Sequence, residues 1–159
     1  MKRYNKLVLG VLAILVAMAI TSCSSVTNYQ KSIFDDDNKI TEEGDSYTYS
    51  TRQGKSAGNE ANIKFASFWG MDTVFEITSA GENDVVFNFE SVIDNGDFKV
   101  VLITPANEVV NILEGTKKGS ARISLKDGTS RIKLVGRKAR GEIKIKIDSG
   151  ENVDIKGTD

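Results

Sequence analysis

The chain reads as an all-β protein, an antiparallel β-sandwich or jelly roll of about eight strands, and three observations predict it. Apolar and polar residues alternate with a period of two from Ala61 onward, most cleanly where Ile143, Ile145 and Ile147 interleave with Lys144 and Lys146. Turn signals recur about every ten residues along the same stretch. No segment carries the 3.6-residue apolar period of an amphipathic helix. A small barrel is the alternative with the same signals.

The first element is not part of that domain. Lys2, Arg3 and Lys6 precede an apolar run from Leu7 to Ile20, about 14 residues long, which suits the hydrophobic region of a signal peptide and falls short of a spanning helix. The run ends at Ile20-Thr21-Ser22-Cys23, which resembles the lipobox of bacterial lipoproteins. That resemblance implies cleavage between Ser22 and Cys23 and acylation of the Cys23 thiol, with palmitate among the expected acyl chains. Residues 1–22 are then the signal peptide, and the protein is expected on the extracytoplasmic face of a cell membrane, an outer membrane included. Two or more acyl chains hold such an anchor stably, because each buried methylene contributes about 0.8 kcal/mol.

Residues 23–45 predict a lipidated, flexible tether. Asp35-Asp36-Asp37, Glu42, Glu43 and Asp45 dominate it, and Tyr29, Ile33, Phe34 and Ile40 are too few to offset its ordering entropy. The acidic cluster lacks the spacing and the glycine of a calcium loop, and a solvated spacer is expected. The sandwich domain is expected over 46–159.

Within it, Tyr47 and Tyr49 suggest a short strand, and the Gly54, Ser56, Gly58 and Asn59 region predicts a loop. A strand carrying Ile63, Phe65 and Trp69 on one face follows, then a second with Phe75 and Ile77, then a third with Val85, Phe87 and Phe89. Asn95-Gly96 predicts a type I′ hairpin, since both central positions of that turn need positive φ. Beyond it Val100-Val101-Leu102-Ile103 is apolar on both faces and predicts a central strand, ended by Pro105. Val109 to Leu113, Ala121 to Leu125, and Ile132 with Leu134 continue the pattern. Gly136 and Gly141 bound an expected basic loop, and Val153 with Ile155 ends the chain as a short strand.

Composition narrows the function classes. Histidine is absent and Cys23 is the sole cysteine, which removes Ser-His and Cys-His nucleophiles and the ordinary zinc sites; no metal and no cofactor is expected. Charge is uneven: Cys23 to Glu114 holds 16 acids against 6 bases, and Gly115 to Asp159 holds 6 acids against 12 bases. Read by alternation, Arg122, Lys126, Arg131, Lys133, Lys144 and Lys146 point outward, and Arg137, Lys138 and Arg140 add to them. If their strands share one sheet they form a cationic strip suited to anionic lipid headgroups or an anionic envelope polymer. Partial pairing to Glu76, Glu90 or Glu142 would instead make it an ordinary solvated face. Nucleic acid is not expected, because no aromatics are interleaved for base stacking.

Two further candidates are weighed. Trp69, with Tyr47 and Tyr49, is a candidate aromatic platform for a saccharide, although its face, shared with Ile63 and Phe65, also fits core packing. Glu76 and Glu90 face outward on consecutive strands and form the one carboxylate pair suited to glycoside hydrolysis, for which no cleft is foreseen. The segment 84–147 resembles in layout the bacterial pre-peptidase C-terminal jelly-roll domains, through Gly96-Asp97-Phe98-Lys99-Val100 and Gly128-Thr129-Ser130-Arg131-Ile132. Lys99 stands where that family has its second aspartate, so the resemblance implies a non-catalytic module without a calcium role. The expected function is a membrane-anchored binding module for an anionic envelope component or saccharide, not an enzyme; an assembly partner of another envelope protein is the alternative.

Overall fold

The computed structural model describes residues 25 to 159; the predicted signal peptide, its cleavage site and Cys23 lie outside the described residues. Two short helices, α1 (Asn28–Ser32) and α2 (Asp37–Ile40), precede eight strands: β1 (Ser46–Thr48), β2 (Thr51–Ala57), β3 (Glu60–Ser79), β4 (Asn83–Ile103), β5 (Val109–Glu114), β6 (Lys117–Leu125), β7 (Gly128–Asp148) and β8 (Val153–Gly157). All pairings are antiparallel and join the strands into one continuous sheet.

Three strands of 20 or 21 residues, β3, β4 and β7, explain how one sheet becomes a two-layer sandwich. Each runs through both layers and bends on the same line. Ser67 on β3, Gly96 on β4 and Lys138 on β7 have φ of 49°, 75° and 55°. The register slips between Phe65 and Trp69 on β3 and between Ile93 and Asp97 on β4, as at a row of bulges. On one side of this line the front layer has the order β2, β3, β7, β4, β6; on the other, the back layer has β1 and β8 in succession along the same edge of β3, then β3, β7, β4, β5.

The sequence expectation of a hairpin at Asn95-Gly96 is therefore corrected. The chain does not reverse there, because Asp97 and Phe98 go on pairing with Arg137 and Gly136 on the same neighbour. Only glycine suits position 96: an added Cβ would sit 2.3 Å from the Lys138 carbonyl oxygen. The expected basic loop at 136–141 is likewise the bend of β7, and Gly136 is required because Phe68 lies where its Cβ would be, 2.3 Å from a ring carbon. The two strands expected at Ile63 to Trp69 and at Phe75 and Ile77 are one, since β3 runs unbroken to Ser79. Gly54 and Ser56, expected in a loop, belong to β2, which turns into β3 through Gly58 and Asn59.

Between the layers the inward residues form the main core. Ile63, Phe65, Phe87, Ile143 and Ile145 from the front face Phe75, Ile77, Val100, Leu102, Ile132 and Leu134 from the back. Phe65 stacks on Phe98 at 4.9 Å between ring centroids and meets Phe68 edge-on at 5.7 Å. Full burial of each such ring contributes about 1.5–3 kcal/mol.

The segment expected as a flexible tether is a second correction. From Thr27 onward it is docked on the outer face of the back layer, where Ile33, Phe34 and Ile40 pack with Met71, Val101, Ile103 and Val135. Thr27 caps α1 in a capping box with Gln30, and the Gln30 side chain also accepts from Thr48 Oγ1 at 3.1 Å, which joins the helix to β1. Arg131 donates to the carbonyls of Thr41 and Glu42, and Lys133 to those of Glu42 and Gly44. Four apolar side chains looked insufficient for order on their own; they suffice because an apolar sheet face is waiting for them.

Candidate functional site

The outer face of the front layer has no such cover among the described residues. It is a broad open groove of about 1070 Å³. Its floor follows from strict alternation: on β3 the outward residues are Glu60, Asn62 and Lys64, and on β7 they are Glu142, Lys144 and Lys146, while Ile63, Ile143 and Ile145 point into the core. Antiparallel register then sets these side chains in rows across the strands. Lys55, Asn62, Lys144, Glu90 and Lys118 form one row, and Glu60, Lys146 and Asn88 lie beside it.

Charges on this floor are paired across strands, as cross-strand neighbours of opposite sign favour. Lys146 Nζ lies 3.0 Å from Glu60, and that bond holds the Lys146 ammonium above its ordinary pKa. Lys118 Nζ lies 3.0 Å from Glu90. Lys64 and Lys144 share one carboxylate, each 3.3 Å from Glu142. Burial by itself would raise Glu142, but the two lysines outweigh it and hold its carboxyl below the ordinary range. A glycosidase's general acid must stay protonated near neutral pH, so Glu142 does not fit that role. Among the described residues Phe89 is the one aromatic at the groove, and it is only 6 % exposed. The groove therefore offers hydrogen bonds and charge rather than ring stacking.

The nine candidate cations do not form one strip, because the bend divides β7 between the front face and the covered back face, and acidic partners are interleaved with the cations of the front. Lys144 and Lys146 lie in the groove. Arg140 lines a small pocket of about 300 Å³ with Asp94 and Lys64, just beyond the groove's end. Arg122 and Lys126 stand on β6 at the sheet edge, paired to Asp84 and Glu82. Arg137 at the bend is bonded to Asp97 and Asp35, and Lys138 is exposed beside it. Arg131 and Lys133 lie beneath the docked segment, Lys133 fully buried and its pKa lowered by that burial.

The remaining candidates are elsewhere. The bulge at Ser67 turns Phe68 inward and leaves Trp69 half-buried opposite Thr48 and Arg137, so Trp69 does not share the core face of Ile63 and Phe65 as its spacing predicts. Tyr49 stacks on Phe68 at 4.3 Å and donates to Asp72, leaving only Tyr47 exposed. Glu76 sits on the back layer beside Lys156 while Glu90 is in the front groove, so they are not a pair. Among the described residues no cluster of three or more His, Cys, Asp or Glu side chains is placed to hold a metal ion. Sequence reasoning missed Lys55, because β2 read as a loop, and Asn62 and Lys118, because a row across strands is visible only once the register is known.

No family model matches the chain, and no curated protein matches it significantly. Similar solved structures include a family 29 carbohydrate-binding module, a mutant complexed with mannohexaose, at 15 % identity, covering 73 % of this chain and 82 % of that one with a TM-score of 0.35. An exo-β-1,3-galactanase from Phanerochaete chrysosporium is 12 % identical, with 66 % of this chain and 29 % of that chain covered and a TM-score of 0.36. A family two carbohydrate esterase from Cellvibrio japonicus is 11 % identical over 72 % of this chain and 34 % of that chain, with a TM-score of 0.35. The likeness is one of β architecture, and the sugars named belong to those proteins.

Proposed function

We propose that the front groove binds an extended saccharide without acting on it. The observation that carries this reading is the floor itself: donor-only ammoniums, acceptor-only carboxylates and two-way amides alternate at strand spacing along an open channel. Sugar hydroxyls both donate and accept, and such a mixed floor satisfies them along the length of a chain. A uniformly anionic polymer such as a nucleic acid would meet Glu60, Glu90 and Glu142 as well as the lysines. The test is binding of the purified full chain to a panel of soluble polysaccharides by affinity electrophoresis. Retardation by one or more polysaccharides supports the reading, provided that substituting both Asn62 and Lys144 by Ala weakens it. Equal retardation of parent and variant would place binding elsewhere.

The second part of the proposal concerns place. The lipobox-like Ile20-Thr21-Ser22-Cys23 supports attachment of the protein to a membrane by acyl chains on Cys23, with the groove displayed outside the cytoplasm. Cys23→Ala is expected to move the protein from the membrane fraction to the soluble one. A variant that stays with the membrane sinks this part alone.

A further inference from the structure

The groove floor is not electrically uniform, and its imbalance is local. Around Lys146 and around Lys118 each ammonium has a carboxylate of its own, Glu60 and Glu90 respectively. The Asn88 amide on that side is already engaged, donating to Asp148 at 2.7 Å. Around Asn62 the situation differs. Lys55 on β2 and Lys144 on β7 are its direct cross-strand neighbours, and Lys64 follows two residues along on the same face. Lys64 and Lys144 divide the single carboxylate of Glu142, and Lys55 has no ion pair among the described residues. Three ammoniums thus have one ion-paired carboxylate among them, since Glu90 beside Lys144 is paired to Lys118, and the Asn62 amide between them makes no hydrogen bond among the described residues.

We propose that Asn62, Lys55, Lys64 and Lys144 form a subsite for a carboxylate, sulfate or phosphate group carried by the saccharide. This inference rests on the groove being the saccharide site. Excess positive charge at one position of an otherwise neutral floor attracts one anionic substituent and sets the register of the chain around it. The amide beside it takes a neighbouring hydroxyl. The preferred polymer is therefore an acidic one with spaced charges, such as a chain containing uronic acid residues, and the neutral pairs at Lys146 and Lys118 accommodate its uncharged stretches.

The test is a titration of the isotope-labelled full chain, read by nuclear magnetic resonance at the side-chain amides of Asn62 and Asn88. The probes are glucuronate, its methyl ester, glucose and inorganic phosphate. Glucuronate is expected to shift the Asn62 amide and leave Asn88 still, the methyl ester to do so at least about threefold more weakly, and Lys144→Gln to weaken the glucuronate response by about threefold or more, while Lys156→Gln, on the back layer away from the groove, leaves it unchanged. Equal shifts at Asn62 and Asn88, or equal potency of glucuronate and its ester, would overturn the subsite while leaving a saccharide groove intact. A response to phosphate with both glucuronate and glucose silent would keep the anion site and sever it from the saccharide reading. No response at Asn62 to any anion would overturn the proposal, whatever polysaccharides the chain retains.

Discussion

The two outer faces of this sandwich are built on the same three strands, yet one is sealed and the other open. On the front, β3 and β7 turn Glu60, Asn62, Lys64, Glu142, Lys144 and Lys146 outward, polar groups that pair across strands or stand exposed and need no apolar cover. On the back, past the bend, the same strands and β4 turn Met71, Val101, Ile103 and Val135 outward, and these need cover. Residues 27–45 supply it. The contrast extends to lysine. Lys144 is exposed with one shared partner, whereas Lys133 is 0 % exposed and satisfied by two backbone carbonyls, the Met71 sulfur and Asp45 at 3.6 Å. A lysine on an alternating strand is a surface group on one face and a structural pin on the other. What differs is the company of its outward neighbours, which decides whether another piece of chain settles on them.

The strongest way to break this comparison is to uncover the back. Removing residues 25–45 exposes the apolar back face and removes the burial of Ile33, Phe34 and Ile40, together about 5–8 kcal/mol, the same order as the whole stability of a small domain. Thermal unfolding followed by circular dichroism is expected to show loss of the cooperative transition or aggregation. A truncated chain melting within a few degrees of its parent would mean the cover is dispensable. A domain cut at 46, which the sequence alone recommends, is for that reason a poor object for binding work.

A smaller effect sharpens the contrast between the lysines. Lys133→Ala leaves buried carbonyls without a donor and opens a void, and is expected to cost about 2–4 kcal/mol in denaturant unfolding. Lys144→Ala is expected to change stability by no more than about 0.5 kcal/mol. Similar values for the two would show that the two faces are not energetically distinct.

The smallest effect concerns the seam where the layers' edges meet. Arg52 on β2 bonds both Asp72 and, at 2.7 Å, the carboxylate of Asp159, which also accepts from Ser56 N. Burial alone would raise Asp159, but the bonds from Arg52 and Ser56 outweigh it and lower its pKa from the ordinary 3.8. A lowered folded pKa means that the stabilisation is present above 3.8 and is lost as pH falls through the folded value. Asp159→Asn is accordingly expected to cost about 1 kcal/mol or less at pH 7, and the gap between parent and variant should close in acid. A gap that persists unchanged at the lowest pH would mean the Asp159 charge is not what holds the seam.

Much of the fold was legible in the sequence. Period-two alternation determined the all-β class, the inward residues of most strand halves and the central position of Val100 to Ile103, but not the flip at Ser67 that puts Phe68 rather than Trp69 in the core. Pro105 marked a true turn, which Asn107 makes at positive φ. Composition determined the want of histidine chemistry. Tertiary structure decided the rest, and for one physical reason: those features depend on partners distant in the chain. A glycine at positive φ reverses a lone hairpin but bends a sheet when Ser67, Gly96 and Lys138 fall on one line. A sparse acidic segment stays solvated alone but orders when Ile33, Phe34 and Ile40 find an apolar face. Asn62 is an unremarkable outward amide until register sets Lys55 and Lys144 on either side of it. Local pattern says which way a side chain points, and only the assembled sheet says what it meets there.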